Sequence, residues 1–180
     1  MAIKYKIIIL GDAAVGKTSL RQRFMGKGFK ATYGMTIGAD FAAYRLTENE
    51  REYVLNIFDL AGQQRFNSLN RGYYSGTNGA MIVFDITRPE SYENIPNWVG
   101  QLVENNNDNI CPLVLVGNKS DLRENSPESV DPHVPEEYVK ELSDWSGFTI
   151  QYYETSALTG KNVDTAFKSL VRTIDEILEM

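Results

Sequence analysis

The sequence has 180 residues, of which 42% are hydrophobic and 23% charged, and it carries a net charge of −6. This length and composition exclude a disordered chain and predict a single globular domain over residues 1–180. The acidic balance gives no basic footprint for nucleic acid, so we expect no nucleic-acid partner. The only cysteine is Cys111 and the only histidine is His133, which excludes an internal disulfide and a Cys/His zinc cluster.

The apolar runs and the two chain ends allow a prediction of cellular localisation and membrane attachment. No run reaches the ~20 apolar residues of a membrane span, and the N-terminal stretch is too short for a signal peptide. The chain ends in EILEM, without a cysteine for prenylation. We therefore expect a cytoplasmic monomer that lacks a stable membrane anchor and reaches membranes only through a further tail or a partner. Cys111 lies beside an apolar run and is interpreted as a small buried hydrophobe.

Strands and helices alternate along the predicted secondary structure. Four continuous apolar runs are typical of buried parallel strands: YKIIIL (5–10), AMIVFDI (80–86), PLVLVGN (112–118) and FTIQYYE (148–154). The turn TENE (47–50) separates ADFAAYRL from REYVLNIFDL and predicts an antiparallel hairpin. Apolar spacings of three and four predict a helix from Val163 onward, and further helices are expected at about 17–26, 94–105 and 135–145. This alternation predicts an open α/β sheet with right-handed crossovers.

Residues 123–137, RENSPESVDPHVPEE, differ from the rest of the chain in composition. They hold three of the six prolines and five carboxylates. We predict a solvated loop that enters the next helix at Pro135.

A phosphate-binding pattern follows the first predicted strand. Residues 11–18 read GDAAVGKT and match G-x-x-x-x-G-K-[ST] between a strand and a helix. Gly11 and Gly16 can adopt backbone angles closed to other residues, so the loop can turn its N–H groups inward as an anion nest. Lys17 supplies a charge for the β- and γ-phosphates, and Thr18 supplies a hydroxyl for Mg²⁺. A plain strand–helix turn explains neither of these side chains.

A second pattern favours guanine over adenine. Residues 118–121 read NKSD and follow a predicted strand, at the end where open α/β sheets bind ligands. The Asp121 carboxylate can accept from both N1–H and the 2-amino group of guanine, whereas adenine would leave it unpaired. Residues 154–158, ETSAL, follow another predicted strand and can bring a backbone N–H to guanine O6.

A third pattern, DLAG at 59–62, follows the second hairpin strand. Asp59 can hold a metal-bound water, and the Gly62 N–H can contact a γ-phosphate. Gln63, the next residue, can orient an attacking water.

The motifs together cover the chain from end to end, and in this order the chain resembles a Ras-superfamily small GTPase, closest to the Rab branch. The segments TIGADF, GYYSG and MIVFDIT resemble Rab-type segments in particular. The resemblance implies a three-layer P-loop NTPase fold, the G domain. Its six-stranded sheet is mostly parallel with one antiparallel hairpin strand, and helices cover both faces.

The resemblance also implies a function and a set of partners. It implies a molecular switch that binds GTP and GDP with Mg²⁺ and slowly hydrolyses GTP, in Rab-like vesicle trafficking or membrane-associated regulation. An exchange factor, a GTPase-activating protein and effectors would bind the switch segments, at about 29–40 and 61–75. No arginine finger is evident in the chain itself, since Arg21 and Arg23 fall on the helix after the loop. We therefore expect turnover on the order of 10⁻⁴–10⁻³ s⁻¹.

The site implied by the resemblance has catalytic, metal-binding and nucleotide-binding residues. Gln63 and Lys17 are the catalytic pair, and Thr18, Thr36 and, through water, Asp59 hold the metal. Phe29 flanks the guanine edge, and Lys119 lies along the base plane. The nucleotide-binding set comprises Gly11, Ala14, Val15, Gly16, Lys17, Thr18, Ser19, Phe29, Tyr33, Thr36, Gly62, Asn118, Lys119, Asp121, Leu122, Ser156, Ala157 and Leu158.

The sequence departs from the Rab pattern in several places. Ala14 replaces the commoner glycine, and Phe58 replaces the usual tryptophan beside Phe41 and Tyr73. The 123–137 loop is longer than usual, and we expect the lipidated tail of Rab proteins either to be truncated from this sequence or never to be carried by this member. Two other functions remain open: an adaptor locked to its nucleotide with negligible hydrolysis, and an ATP-dependent P-loop kinase. Gln63 favours the hydrolysing switch over the adaptor, and NKSD disfavours the kinase.

Overall fold

The computed structural model describes residues 2–28, 36–62 and 72–179. The strands are β1 Ile3–Leu10, β2 Ala39–Glu48, β3 Arg51–Leu60, β4 Gly79–Asp85, β5 Leu113–Asn118 and β6 Gln151–Glu154. The helices are α1 Lys17–Phe24, α2 Pro89–Glu93, α3 Ile95–Asn105, α4 His133–Ser146 and α5 Val163–Leu178. A 3₁₀ helix covers Ser120–Asn125.

The six strands form one sheet in the order β2-β3-β1-β4-β5-β6. All neighbours pair in parallel except β2 and β3, which are antiparallel. The predicted mostly parallel sheet with one antiparallel hairpin strand is therefore confirmed. Because β1, β4, β5 and β6 are parallel, the loops that follow them meet at one edge of the sheet, where α/β folds bind ligands.

The two faces of the sheet carry separate apolar clusters, because successive residues of a strand point to opposite sides. On β1, Ile7 and Ile9 pack with α1 and α5, whereas Ile8 and Leu10 pack with α3 and α4. Helices thus cover both faces, as expected. Cys111 is buried in the second cluster, and burial raises the pKa of its thiol to about 12, in keeping with a structural role.

Several element boundaries differ from the sequence predictions. The hairpin turn consists of two residues, Asn49 and Glu50, rather than the predicted four at 47–50. Both residues have a positive φ, as two-residue hairpin turns of type I′ require. The last strand begins at Gln151 rather than at 148. Within 123–137, the 3₁₀ helix extends to Asn125 and α4 already begins at His133, so Pro135 lies inside the first turn. The short helix α2 was not predicted.

No helix within 2–28, 36–62 and 72–179 has the length and apolar character needed to cross a membrane.

Candidate functional site

The loop between β1 and α1 is bent through three left-handed positions. Gly11 has φ 136°, Ala14 φ 62° and Gly16 φ 103°. A Cβ on Gly16 would overlap the side-chain amide of Asn118, so glycine is needed there for space as well as for its backbone angle. Ala14 adopts a left-handed angle without being glycine, which is uncommon and marks local strain.

Lys17 is buried at the base of this loop, with 7% of its surface exposed. Its ammonium donates to the carbonyls of Gly11 and Asp12, each at 2.7 Å. The pKa of Lys17 is lowered to about 8, mainly by burial, while the charges of Asp59 and Asp12 oppose the shift and the charge of Arg88 adds slightly to it. A cation held beneath a loop of backbone N–H groups is suited to bind a phosphate chain.

Two hydroxyls and one carboxylate converge beside Lys17. The Thr18 hydroxyl donates to Asp59 and lies 3.2 Å from the Thr36 hydroxyl. The other Asp59 oxygen, Oδ1, is buried without a hydrogen-bond partner in the described part of the chain. Burial raises the pKa of Asp59, and the Thr18 hydrogen bond and the Lys17 charge oppose that rise. These hard oxygen donors, one of them unsatisfied, fit a magnesium ion.

Gly62 lies directly against the phosphate loop. A Cβ on Gly62 would fall 2.5 Å from the Ala13 nitrogen and from the Gly11 carbonyl oxygen. The backbone of the DLAG segment therefore packs so closely against residues 11–13 that only glycine, which has no side chain, fits at position 62.

Asn118 joins the phosphate loop to the segment after β6. Its side-chain N–H₂ donates to the Val15 carbonyl at 2.9 Å. Its side-chain oxygen accepts from the Thr155 hydroxyl at 3.1 Å and from the Ala157 N–H at 3.3 Å. Asn118 is itself buried, so all three partners depend on it for a hydrogen bond away from water.

The other residues of NKSD and ETSAL gather around the same point. Asp121 accepts from the buried Ser156 hydroxyl at 2.5 Å, which fixes one carboxylate oxygen. The Lys119 ammonium lies 2.7 Å from the carboxylate of Asp85 at the end of β4. Leu122 and Leu158, in the same two segments, are exposed.

Arg23, on α1, is a functional candidate that sequence reasoning did not assign. Its guanidinium donates to the carbonyl of Ala157 at 3.0 Å and to the carbonyl of Leu158. It therefore braces the ETSAL segment from the side of α1, away from the phosphate loop as predicted. Arg21 also points away, because it is buried and paired with Asp40 of β2. Local sequence carries no signal for these contacts, which join residues far apart in the chain.

The outer side of the phosphate loop has partners that the sequence did not indicate either. Asp12 accepts from the Asn94 side-chain amide at 2.7 Å and from the Trp98 indole N–H at 2.8 Å. The Arg88 guanidinium donates to the Ala13 carbonyl at 2.7 Å. Arg88, Asn94 and Trp98 are called the outer clamp below.

The structure thus brings the predicted phosphate, metal and base residues to one edge of the sheet. Ser19 lies in the first turn of α1, half-buried. Phe29, Tyr33 and Gln63 lie outside the described residues, and their roles stay predictions.

A mostly parallel sheet with a G-x-x-x-x-G-K-T loop after β1, and an N-K-x-D segment at the end of β5, is the architecture of a P-loop guanine-nucleotide-binding protein. Residues 6–176 match the Ras family, and the chain belongs to that family. Its members are small GTPases, enzymes that hydrolyse GTP.

Similar proteins carry Rab names. The chain is 37% identical to the Ras-related protein RABD2a of Arabidopsis thaliana over 172 residues, covering 96% of this chain and 80% of the relative. It is 36% identical to Rab7 of Drosophila melanogaster, covering 96% and 81%. It is 37% identical to Rab-2B of Dictyostelium discoideum, covering 97% and 82%. These relatives agree with the predicted likeness to the Rab branch.

Proposed function

We propose that this GTPase is a Rab-type switch that binds GTP and GDP with Mg²⁺ and hydrolyses GTP slowly. The observation that carries the proposal is the convergence of Thr18, Thr36 and Asp59 beside the buried Lys17. Thr36 belongs to a segment outside the phosphate motif. A metal held jointly by Thr18 and Thr36 would therefore tie that segment to the nucleotide and release it when the γ-phosphate leaves.

Each of these residues has a part in the reaction. Lys17 binds and neutralises the β- and γ-phosphates, and the backbone N–H groups of residues 11–16 orient them. Thr18 and Thr36, with Asp59 through water, would hold Mg²⁺, which supplies further neutralisation of the phosphate oxygens. Gln63 orients the attacking water. We propose a turnover on the order of 10⁻⁴–10⁻³ s⁻¹ without an activating protein.

The simplest test of the class of ligand is chemical. The freshly purified protein is denatured and the released nucleotide is identified by chromatography. GDP or GTP at near-unit stoichiometry supports the proposal. Adenine nucleotide in the same amount would overturn it and favour the kinase alternative.

We expect Gln63→Leu to bind GTP normally but to hydrolyse it at least about tenfold more slowly, because the attacking water is no longer positioned. Single-turnover release of phosphate measures this rate. Gln64→Leu is the matched control, since it removes the neighbouring amide, and its rate should stay near that of the wild type. If wild type and both variants hydrolyse GTP at the same negligible rate, the chain is a nucleotide-locked adaptor.

We expect Thr18→Asn to weaken GTP binding more than GDP binding, because the Mg²⁺ ion that the Thr18 hydroxyl would hold neutralises phosphate charge, of which GTP carries more than GDP. Titration of both nucleotides with and without EDTA measures the difference. Thr18→Ser keeps the hydroxyl and should retain the wild-type ratio of affinities. Equal losses for GTP and GDP in Thr18→Asn would contradict a metal-binding role.

An aromatic row offers a surface for regulators and effectors. Phe41 and Phe58 are directly paired across β2 and β3, with ring centres 5.0 Å apart, and Tyr73 lies 5.7 Å from Phe58. Phe41 is 54% exposed, as is appropriate for a contact surface. We propose that exchange factors, activating proteins and effectors of Rab-like trafficking bind here, with recruitment to membranes through such partners.

A further inference from the structure

Arg88 holds the phosphate loop from outside the nucleotide motifs. It lies just before α2 and donates to the Ala13 carbonyl at 2.7 Å, across 75 positions of sequence. Beside it, Asn94 and Trp98 hold the Asp12 carboxylate. The outer clamp therefore fixes two consecutive residues of the loop on the side facing α2 and α3.

The hydrogen bond from Arg88 to the Ala13 carbonyl also fixes the direction of the next backbone N–H group, because both groups belong to one rigid peptide unit. In a trans peptide the C=O and the following N–H point in opposite directions. When Arg88 holds the Ala13 carbonyl outward, the N–H of Ala14 is directed inward, to the side where Lys17 lies. The guanidinium is charged, so its hydrogen bond is stronger than a neutral one and polarises that peptide.

The backbone angle of Ala14 indicates that this peptide needs external support. Ala14 has a φ of 62°, in the left-handed region that residues other than glycine rarely adopt. Strained angles of this kind persist only when surrounding contacts hold them.

We propose that Arg88 is a positioning residue for GTP hydrolysis, which orients and polarises the Ala13–Ala14 peptide so that the Ala14 N–H donates to the phosphate chain. The inference rests on the proposed function. Negative charge moves onto the leaving oxygen as the γ-phosphoryl group departs, so a polarised donor stabilises the transition state more than bound GTP.

The test compares Arg88→Ala with Arg88→Lys and with a control. Arg172→Ala is the matched control, because Arg172 also donates to a backbone carbonyl, that of Lys168, on the remote helix α5. Single-turnover hydrolysis and the dissociation of a radiolabelled non-hydrolysable GTP analogue by filter binding are measured for each variant. We expect Arg88→Ala to slow hydrolysis about tenfold while dissociation of the GTP analogue changes less than threefold. Arg88→Lys, which keeps a charge and a donor, should recover most of the rate.

Three outcomes would overturn the inference. The first is an unchanged hydrolysis rate in Arg88→Ala. The second is an equal loss of hydrolysis and of affinity for the GTP analogue, which a purely structural clamp would produce. The third, decisive even if Arg88→Ala folds poorly, is a well-folded Arg88→Lys that is as slow as the alanine variant. Failure of the proposed function is distinguishable, since the wild type would then show no GTP binding or hydrolysis.

Discussion

Replacing Asp121 with asparagine is expected to turn a guanine-binding site into a xanthine-binding one. The carboxylate can accept from N1–H and the 2-amino group of guanine, whereas an asparagine amide places its N–H₂ against that amino group. Xanthine has a carbonyl at that carbon, which accepts from the amide. Losing a charged bond and leaving a buried donor unmet costs about 2–4 kcal/mol, or roughly 30- to 1000-fold in affinity.

The hydrogen bond from Ser156 allows the Asp121→Asn substitution without a change in the surrounding structure. Ser156 donates to one Asp121 oxygen, and an asparagine carbonyl oxygen can accept the same bond. The amide nitrogen then takes the position of the second carboxylate oxygen, facing the base. The variant should therefore fold as the wild type does and differ in base preference alone.

Competition between GDP and XDP on both proteins measures the exchange. Asp131→Asn is the control, because the Asp131 side chain accepts from the backbone N–H of His133 at the start of α4, outside the NKSD segment; it should keep the wild-type preference. If Asp121→Asn still preferred GDP, Asp121 would not contact the 2-amino edge, and NKSD would lose its assignment as the base-specificity element.

Asn118→Ala is expected to weaken nucleotide binding at least about a hundredfold and to destabilise the fold by about 3 kcal/mol. The substitution leaves the Val15 carbonyl, the Thr155 hydroxyl and the Ala157 N–H without their partner in a buried region. Each unsatisfied buried group costs about 1–3 kcal/mol, partly offset by relaxation. Binding falls because the phosphate loop and the base segment no longer hold each other in place.

Chemical denaturation with and without saturating GDP separates the two effects, since GDP adds stability in proportion to the logarithm of its affinity. Asn105→Ala is the control: Asn105 donates to the Gln101 carbonyl of its own helix, and its loss should change nucleotide affinity little. A variant that lost stability but kept GDP affinity would show that Asn118 supports the fold without organising the site.

The sequence predicted the sheet because its signals are local. The buried strands β1, β4 and β5 are continuous apolar runs, and parallel strands covered on both faces need that composition. The phosphate, metal and base motifs were also visible, since each is a short run of residues whose chemistry depends on neighbours in the chain. Gln63 was assigned in the same way, but it lies outside the described residues, so its role remains a prediction.

The contacts between motifs could not be predicted, because they depend on tertiary geometry. Arg23 reads as an ordinary polar residue of α1, and only the packing of α1 beside the segment after β6 brings it to the Ala157 carbonyl. Arg88 precedes a five-residue helix too short to leave a periodic pattern. The start of α4 was misplaced for a simpler reason: proline is tolerated throughout the first turn, so Pro135 does not specify which position it occupies.

The outer clamp also gives the protein an intrinsic optical probe. The chain has two tryptophans. Trp98 is 2% exposed and its indole N–H bonds to Asp12 of the phosphate loop, whereas Trp145 is 61% exposed near the end of α4. Indole emission depends on the hydrogen bonding and polarity around the ring, so a loop that tightens on a phosphate should shift the fluorescence of Trp98 and leave Trp145 as a constant background. With Trp145→Phe, unlabelled protein would report nucleotide exchange in real time from a single buried chromophore.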